Sequence, residues 1–160
     1  MHTIEGSQSA AGFRFAIVVS KYNDFVTERL QAGALAALAA AGVSSGDITV
    51  VRVPGAFELP IAAQHAARTG RYDAVVCLGC LIRGATPHFE YIASAVSHGL
   101  TAAAGATGVP MAFGVLTTNS VEEAVERAGD GLSNKGWEAA VAAIEMAAVV
   151  AQLTRASSQA

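Results

Sequence analysis

The stretch that decides the fold is Phe13-Arg14-Phe15-Ala16-Ile17-Val18-Val19, then Ser20-Lys21-Tyr22-Asn23-Asp24, then residues 25–41. The first seven residues are short, apolar and β-branched toward their end, which is the composition of a buried strand. The polar five can cap a helix, and residues 25–41 have helix composition with Gly42 as the stop. The same alternation repeats outward. Ile48-Thr49-Val50-Val51-Arg52-Val53 is a second strand ended by Pro54-Gly55, and residues 59–68 form a helix stopped by Gly70. A third strand over 73–78 leads through a long loop, 79–87, into an alanine-rich helix over 88–104. A fourth strand covers 111–116, a helix 121–128, a turn 130–134, and a last helix 136–153. Residues 155–160 are small and polar and are expected to fray.

Strands alternating with helices through short links point to one parallel sheet covered on both faces. The expected fold is therefore α/β, a three-layer α/β/α sandwich around a flavodoxin-like four-stranded parallel sheet. No repeat and no linker divides the chain, so residues 1–160 form one domain with residues 1–10 as an N-terminal arm. Thr3-Ile4-Glu5 has the makings of an extra strand, paired to this sheet or, as we expect, added to a neighbouring subunit's.

Composition narrows the function classes. Of 160 residues, 52% are apolar, which excludes disorder as a whole-chain description. Charged residues make up 14%, below the ~25% of ordinary soluble domains. A surface so poor in charge is expected to be partly covered by other subunits. The net charge of −3 and the scattered lysines and arginines exclude an electrostatic footprint for nucleic acid. Residues 1–10 lack the basic and apolar regions of a signal peptide. Gly33 and Glu145 interrupt the alanine-rich stretches before they reach the ~18 residues of a membrane span. A soluble cytoplasmic protein is the expectation.

In open parallel sheets, ligands sit beyond the carboxyl ends of the strands. Most of the chain's chemically unusual residues fall in the four loops there: 20–24, 54–58, 79–88 and 117–119. The richest run is Arg83-Gly84-Ala85-Thr86-Pro87-His88. Gly84 lets a ligand approach the backbone, and Pro87 suits the first helical position. The free N–H groups of that helix start favour an anion such as phosphate, and Thr86 adds a hydroxyl. His88 lies in the first turn, where the helix dipole favours the neutral imidazole, a form able to take and return protons. Taken alone, such a loop is as readily an ordinary helix cap with a solvated histidine.

Glu58 opens the second helix, where its carboxylate either serves the helix dipole or accepts from ring N–H groups. Tyr22 and Phe57 provide two aromatic faces for a planar heterocycle, or ordinary packing. Arg127 either complements its own helix dipole or reaches a phosphate. No dinucleotide fingerprint, P-loop, nucleophile elbow or zinc-protease motif is present. Cys77-Leu78-Gly79-Cys80 has C-x-x-C spacing, but Cys77 lies inside an apolar strand and the pair does not open a helix. A redox or zinc role is therefore disfavoured. These residues by themselves support an α/β enzyme acting on a small, planar substrate, with or without a phosphate.

The motifs in chain order carry more. They are Tyr22-Asn23-Asp24-Phe25, Val53-Pro54-Gly55-Ala56-Phe57-Glu58-Leu59-Pro60, Ile82-Arg83-Gly84-Ala85-Thr86-Pro87-His88-Phe89, Phe113-Gly114-Val115-Leu116-Thr117-Thr118-Asn119, Glu126-Arg127-Ala128-Gly129 and Asn134-Lys135-Gly136. Together they resemble the 6,7-dimethyl-8-ribityllumazine synthase family of riboflavin biosynthesis over roughly residues 1–150. The resemblance implies a cofactor-free, metal-free condensation of 5-amino-6-(D-ribitylamino)uracil with 3,4-dihydroxy-2-butanone 4-phosphate. It implies that Tyr22 stacks on the pyrimidine, where relatives more often carry Phe or Trp. Ala56, Phe57 and Glu58 match the segment that holds the ribityl chain and ring edge. Cys80, Leu81 and Ile82 match a segment that binds the pyrimidine chiefly through backbone; many relatives have Thr in place of the cysteine. Ala85 and Thr86 match the phosphate loop, Arg127 its charged partner, and His88 a proton shuttle. Phe113 matches a residue lent by the adjacent subunit, and Lys135 lies in the matching Asn-Lys-Gly segment. The resemblance also implies a homopentamer, with a 60-subunit icosahedral capsid in many members. The rival reading is a non-catalytic flavin- or lumazine-binding module on the same scaffold, which would need neither His88 nor Arg127.

Overall fold

The computed structural model describes residues 1–158. In chain order the elements are β1 (Phe15–Ser20), α1 (Asp24–Ala40), β2 (Ile48–Val53), α2 (Leu59–Arg68), β3 (Ala74–Ile82), α3 (His88–Thr107), β4 (Met111–Thr118), α4 (Val121–Arg127) and α5 (Lys135–Ser158). The four strands form one parallel sheet in the order β2-β1-β3-β4.

Strand alternation sorts the core into two layers. Phe15, Ile17 and Val19 of β1, with Val76, Leu78 and Cys80 of β3, face α1 and α5. Ala16 and Val18, with Val75 and Cys77, face α2 and α3. The expected α/β/α sandwich follows directly from residues that point alternately up and down. Both faces of β1 and of most of β3 are buried, which is why those segments read as continuous apolar runs. The chain leaves β1 toward β2 on one side, and β3 proceeds to β4 on the other. The topological switch point thus lies between β1 and β3, where a crevice opens at the carboxyl ends of parallel strands.

Several sequence boundaries are corrected. β3 runs four residues past the expected end at Leu78, because β4 keeps pairing with it through Leu81↔Thr117 and Ile82↔Thr118. Gly79 is not a break. A Cβ there would lie 3.2 Å from Leu59 Cδ1 and 3.4 Å from Ala56 Cβ, so the glycine lets the β2–α2 connection close over the strand. Pro87 sits one residue before α3, its carbonyl accepting from the N–H of Glu90 at 3.1 Å. Residues 155–158 do not fray but continue α5, held by side-chain bonds such as Ser158 Oγ donating to Thr154 O at 3.1 Å. Residues 159 and 160 of the expected tail lie outside the described residues.

The arm forms no strand in its own sheet among the described residues. It runs along α5, where Gln152 Nε2 donates to Glu5 O at 2.8 Å, and Ala10 N–H donates to Ala41 O at 2.9 Å. By length and composition alone, α5 would pass for a membrane span. Here its small residues Ala139, Ala140, Ala143 and Ala147 are buried in the core layer it shares with α1.

Candidate active site

A cleft of about 480 Å³ opens at the switch point. Its walls come from three connections. Tyr22 and Asn23 follow β1; Ala56, Phe57 and Glu58 form a 3-10 turn after β2; Thr86 and His88 lie at the entry to α3. Cys80, Leu81 and Ile82 also line it. Nine of the residues expected from the sequence therefore meet in one place, although they span positions 22 to 88.

The rings are presented rather than packed away. Tyr22 is 71% exposed and Phe57 59%, an unusual state for large aromatics unless a ligand or another subunit covers them. Asn23 sets the turn that carries Tyr22. It adopts a left-handed backbone (φ 58°), which asparagine tolerates better than other non-glycine residues. Its Nδ2 donates to Cys80 O at 2.9 Å, tying the turn to β3. Asn23 was expected as a loop residue but not as part of the site; Asn after a strand and before a helix was the available signal.

The β3 overhang supplies the backbone groups. Pairing between β1 and β3 ends at Val19↔Leu78, whereas β3 continues to Ile82. From Gly79 onward, the edge of β3 that faces the end of β1 has no strand partner. The Cys80 carbonyl is taken by Asn23, and the rest of that edge is available to a ligand's donors and acceptors. Such an edge can offer main-chain donors and acceptors to a planar ring.

Cys77 and Cys80 lie on opposite faces of the sheet, so the C-x-x-C spacing builds neither a disulfide nor a chelate. Burial pushes the Cys77 thiol up to about 12 and the Cys80 thiol up to about 11. Both are neutral packing groups. Glu58 precedes α2 and makes no side-chain cap bond to it, which leaves its carboxylate uncommitted to the helix. His88, also exposed, makes no side-chain hydrogen bond among the described residues.

Three expected site residues are elsewhere. Phe113, Arg127 and Lys135 line a second cleft of about 370 Å³, between β4 and the start of α5. Within one chain Arg127 and Thr86 therefore line different clefts. Arg127 Nη1 donates to Glu123 O at 3.2 Å, and Lys135 Nζ pairs with Glu138 Oε2 at 2.7 Å. Phe113 is 49% exposed on β4. Ala85 lines neither cleft; the neighbouring Gly84 takes that place in the first.

The loop arginine, Arg83, lines neither cleft. Its Nε donates to Asn119 Oδ1 at 2.9 Å, its Nη1 pairs with Glu90, and its guanidinium lies 4.5 Å from the centroid of the Phe89 ring. It fastens the loop 84–87 to the β4–α4 turn. That turn is itself fixed by Ser120 Oγ accepting from Glu123 N–H and by Glu123 Oε2 accepting from Asn119 N–H.

Comparison with known proteins shows the family. The family model for 6,7-dimethyl-8-ribityllumazine synthase matches residues 12–151. A protein of Syntrophus aciditrophicus (strain SB) named 6,7-dimethyl-8-ribityllumazine synthase is 54% identical over 149 residues, 93% of this chain and 97% of its own length.

Proposed function

The chain belongs to the 6,7-dimethyl-8-ribityllumazine synthase family, and from that premise we propose how its two clefts divide the reaction. It is a transferase of riboflavin biosynthesis. It condenses 5-amino-6-(D-ribitylamino)uracil with 3,4-dihydroxy-2-butanone 4-phosphate, releasing phosphate and water. The non-catalytic binding module is not favoured.

The carrying observation is the separation of the expected site residues into two half-lined clefts. The first has aromatic faces, an open strand edge, a carboxylate and a histidine, but no lining lysine or arginine. The second has Arg127 and Lys135 beside a solvent-facing phenylalanine. Each holds what the other lacks. A cyclic heterologous contact would place the second cleft of one subunit over the first cleft of the next, completing one site per interface. The exposed Tyr22, Phe57 and Phe113 support this, as does the low charged fraction.

In the completed site, Tyr22 stacks on the pyrimidine and Phe113 of the adjacent subunit closes over it. Glu58 and the backbone of 80–82 read the ring edge and ribityl chain. Thr86, the N–H groups at the start of α3 and Arg127 of the adjacent subunit hold the phosphate; Lys135 adds a second cation. His88 takes the proton released as the amine attacks the ketone and returns one to the departing hydroxyl. Elimination of phosphate follows, and ring closure onto the remaining carbonyl expels a second water.

The ring is a homopentamer, and twelve such rings would form a shell. The arm would add its strand to the open edge of β2, where Val50 and Arg52 are exposed. Two free, buried thiols fit the reducing cytoplasm. The test is formation of the lumazine chromophore from the two purified substrates, by wild type and by His88→Ala. Because amine–ketone condensation is facile, kcat should fall about 10- to 100-fold, at or below the low end for acid–base groups, with pyrimidine KM nearly unchanged. Unchanged kcat would remove His88 from the chemistry.

A further inference from the structure

Asn134 is 4% exposed, on the short link between α4 and α5. Its side chain makes four hydrogen bonds. Nδ2 donates to Gly129 O at 2.9 Å and to Arg29 O at 3.2 Å. Oδ1 accepts from Gly136 N–H at 2.8 Å and from Trp137 N–H at 3.1 Å. An amide has two donors and an acceptor oxygen with two lone pairs, so the group is fully used.

The partners define what it controls. Gly129 lies two residues after Arg127, and Gly136 one residue after Lys135. One buried amide therefore ties the end of α4 to the start of α5, and both to the α1 backbone at Arg29. A neighbouring glycine makes room for it. A Cβ at Gly33 would lie within 2.2 Å of Asn134 Oδ1. Serine or aspartate would satisfy the α5 N–H groups as a simple cap, but neither reaches both carbonyls as a donor.

We propose that Asn134 is a positioning residue that sets the spacing of Arg127 and Lys135 and so shapes the anion subsite of the second cleft. This rests on the reading above that the second cleft receives the phosphate. Asn134 touches no substrate and acts only through where it places the two cations. A fixed pair matches one anion geometry, whereas an untethered pair must be ordered at binding.

The experiment is steady-state kinetics with both substrates on Asn134→Ser, Arg127→Ala and the double variant, in the assembled enzyme. Asn134→Ser keeps an acceptor for α5 and loses both donor contacts. It should raise KM for the phosphorylated substrate about 10-fold, with pyrimidine KM and kcat within about 2-fold. In the Arg127→Ala background the same change should add less than about 3-fold, because only Lys135 of the two cations it spaces is left to displace. Should the serine variant not fold, Asn134→Asp carries the same cycle; it keeps both α5 contacts, and a long-range effect of its charge would persist in full in the Arg127→Ala background while a positional effect would shrink. Equal loss for both substrates, or full additivity in the double variant, overturns the positioning role. If Arg127→Ala itself leaves the phosphate-substrate KM unchanged, the phosphate reading of the cleft fails, and the proposal with it.

Discussion

Separating the aromatic cleft from the cationic cleft predicts complementation between two damaged chains. Tyr22→Ala removes a ring that is 71% exposed, so it takes little from the core. Stacking of a heterocycle on an aromatic ring is worth about 1–3 kcal/mol, which is roughly a 5- to 150-fold loss at subsaturating pyrimidine. Arg127→Ala removes a guanidinium anchored within its own chain through Glu123 O. Losing its charge-assisted contact to phosphate costs about 1.5–3 kcal/mol, or roughly 10- to 150-fold. Each homogeneous variant should therefore keep at most about a fifth (Tyr22→Ala) or a tenth (Arg127→Ala) of the wild-type rate at low substrate. When the two are unfolded together, mixed in equal amounts and refolded, each interface draws Tyr22 from one chain and Arg127 from the next. Random mixing leaves both intact in about a quarter of sites. The assay is the initial rate of lumazine absorbance, with native mass spectrometry to confirm mixed rings. Recovery to about a quarter of wild-type rate is the expected result. Mixed rings whose rate stays at the parental average would put both residues in one chain's own site and refute the division of the clefts.

Two further outcomes test the packing. Gly136→Ala would drive a Cβ to within 1.9 Å of Leu30 O, a backbone atom that has no rotamer to escape into, so a loss of about 3 kcal/mol in denaturant or thermal unfolding is expected. Gly105→Ala, which meets nothing within 4 Å, should instead be neutral or stabilising by about 0.5–1 kcal/mol, and similar losses for both would refute the steric account. The thiols rise from 9.0 to about 12 at Cys77 and about 11 at Cys80 on folding. Folding thus holds the neutral thiols; that contribution is complete below pH 9 and is lost as pH rises through the folded values. Native protein at pH 8 should accordingly react with a thiol reagent far more slowly than unfolded protein, and equal rates would contradict the burial.

The alternation of apolar runs with helix-forming stretches determined the α/β class, the element order and the loops that bear chemistry. Those properties depend on local period and on stop residues such as Gly42, Pro54-Gly55 and Gly70, which act within a few residues of themselves. The family, too, was legible in the chain, because the Arg83–His88 and Gly55–Glu58 runs survive as contiguous words. Other features were not, because they depend on contacts between distant segments. β3 reaches Ile82 because β4, more than thirty residues later, continues to pair with it. That overhang, and not the composition of 79–82, exposes the strand edge beside Tyr22. Asn134 reads in sequence as a turn residue; only the approach of α1, with Gly33 leaving space, makes its amide a tie between α4 and α5. The assignment of Arg127 and Lys135 to a cleft apart from His88 likewise has no local signature. Sequence lists the side chains that suit an anion and a planar ring, but which of them share a wall is set by strand order and crossover, and those exist only once the chain is folded.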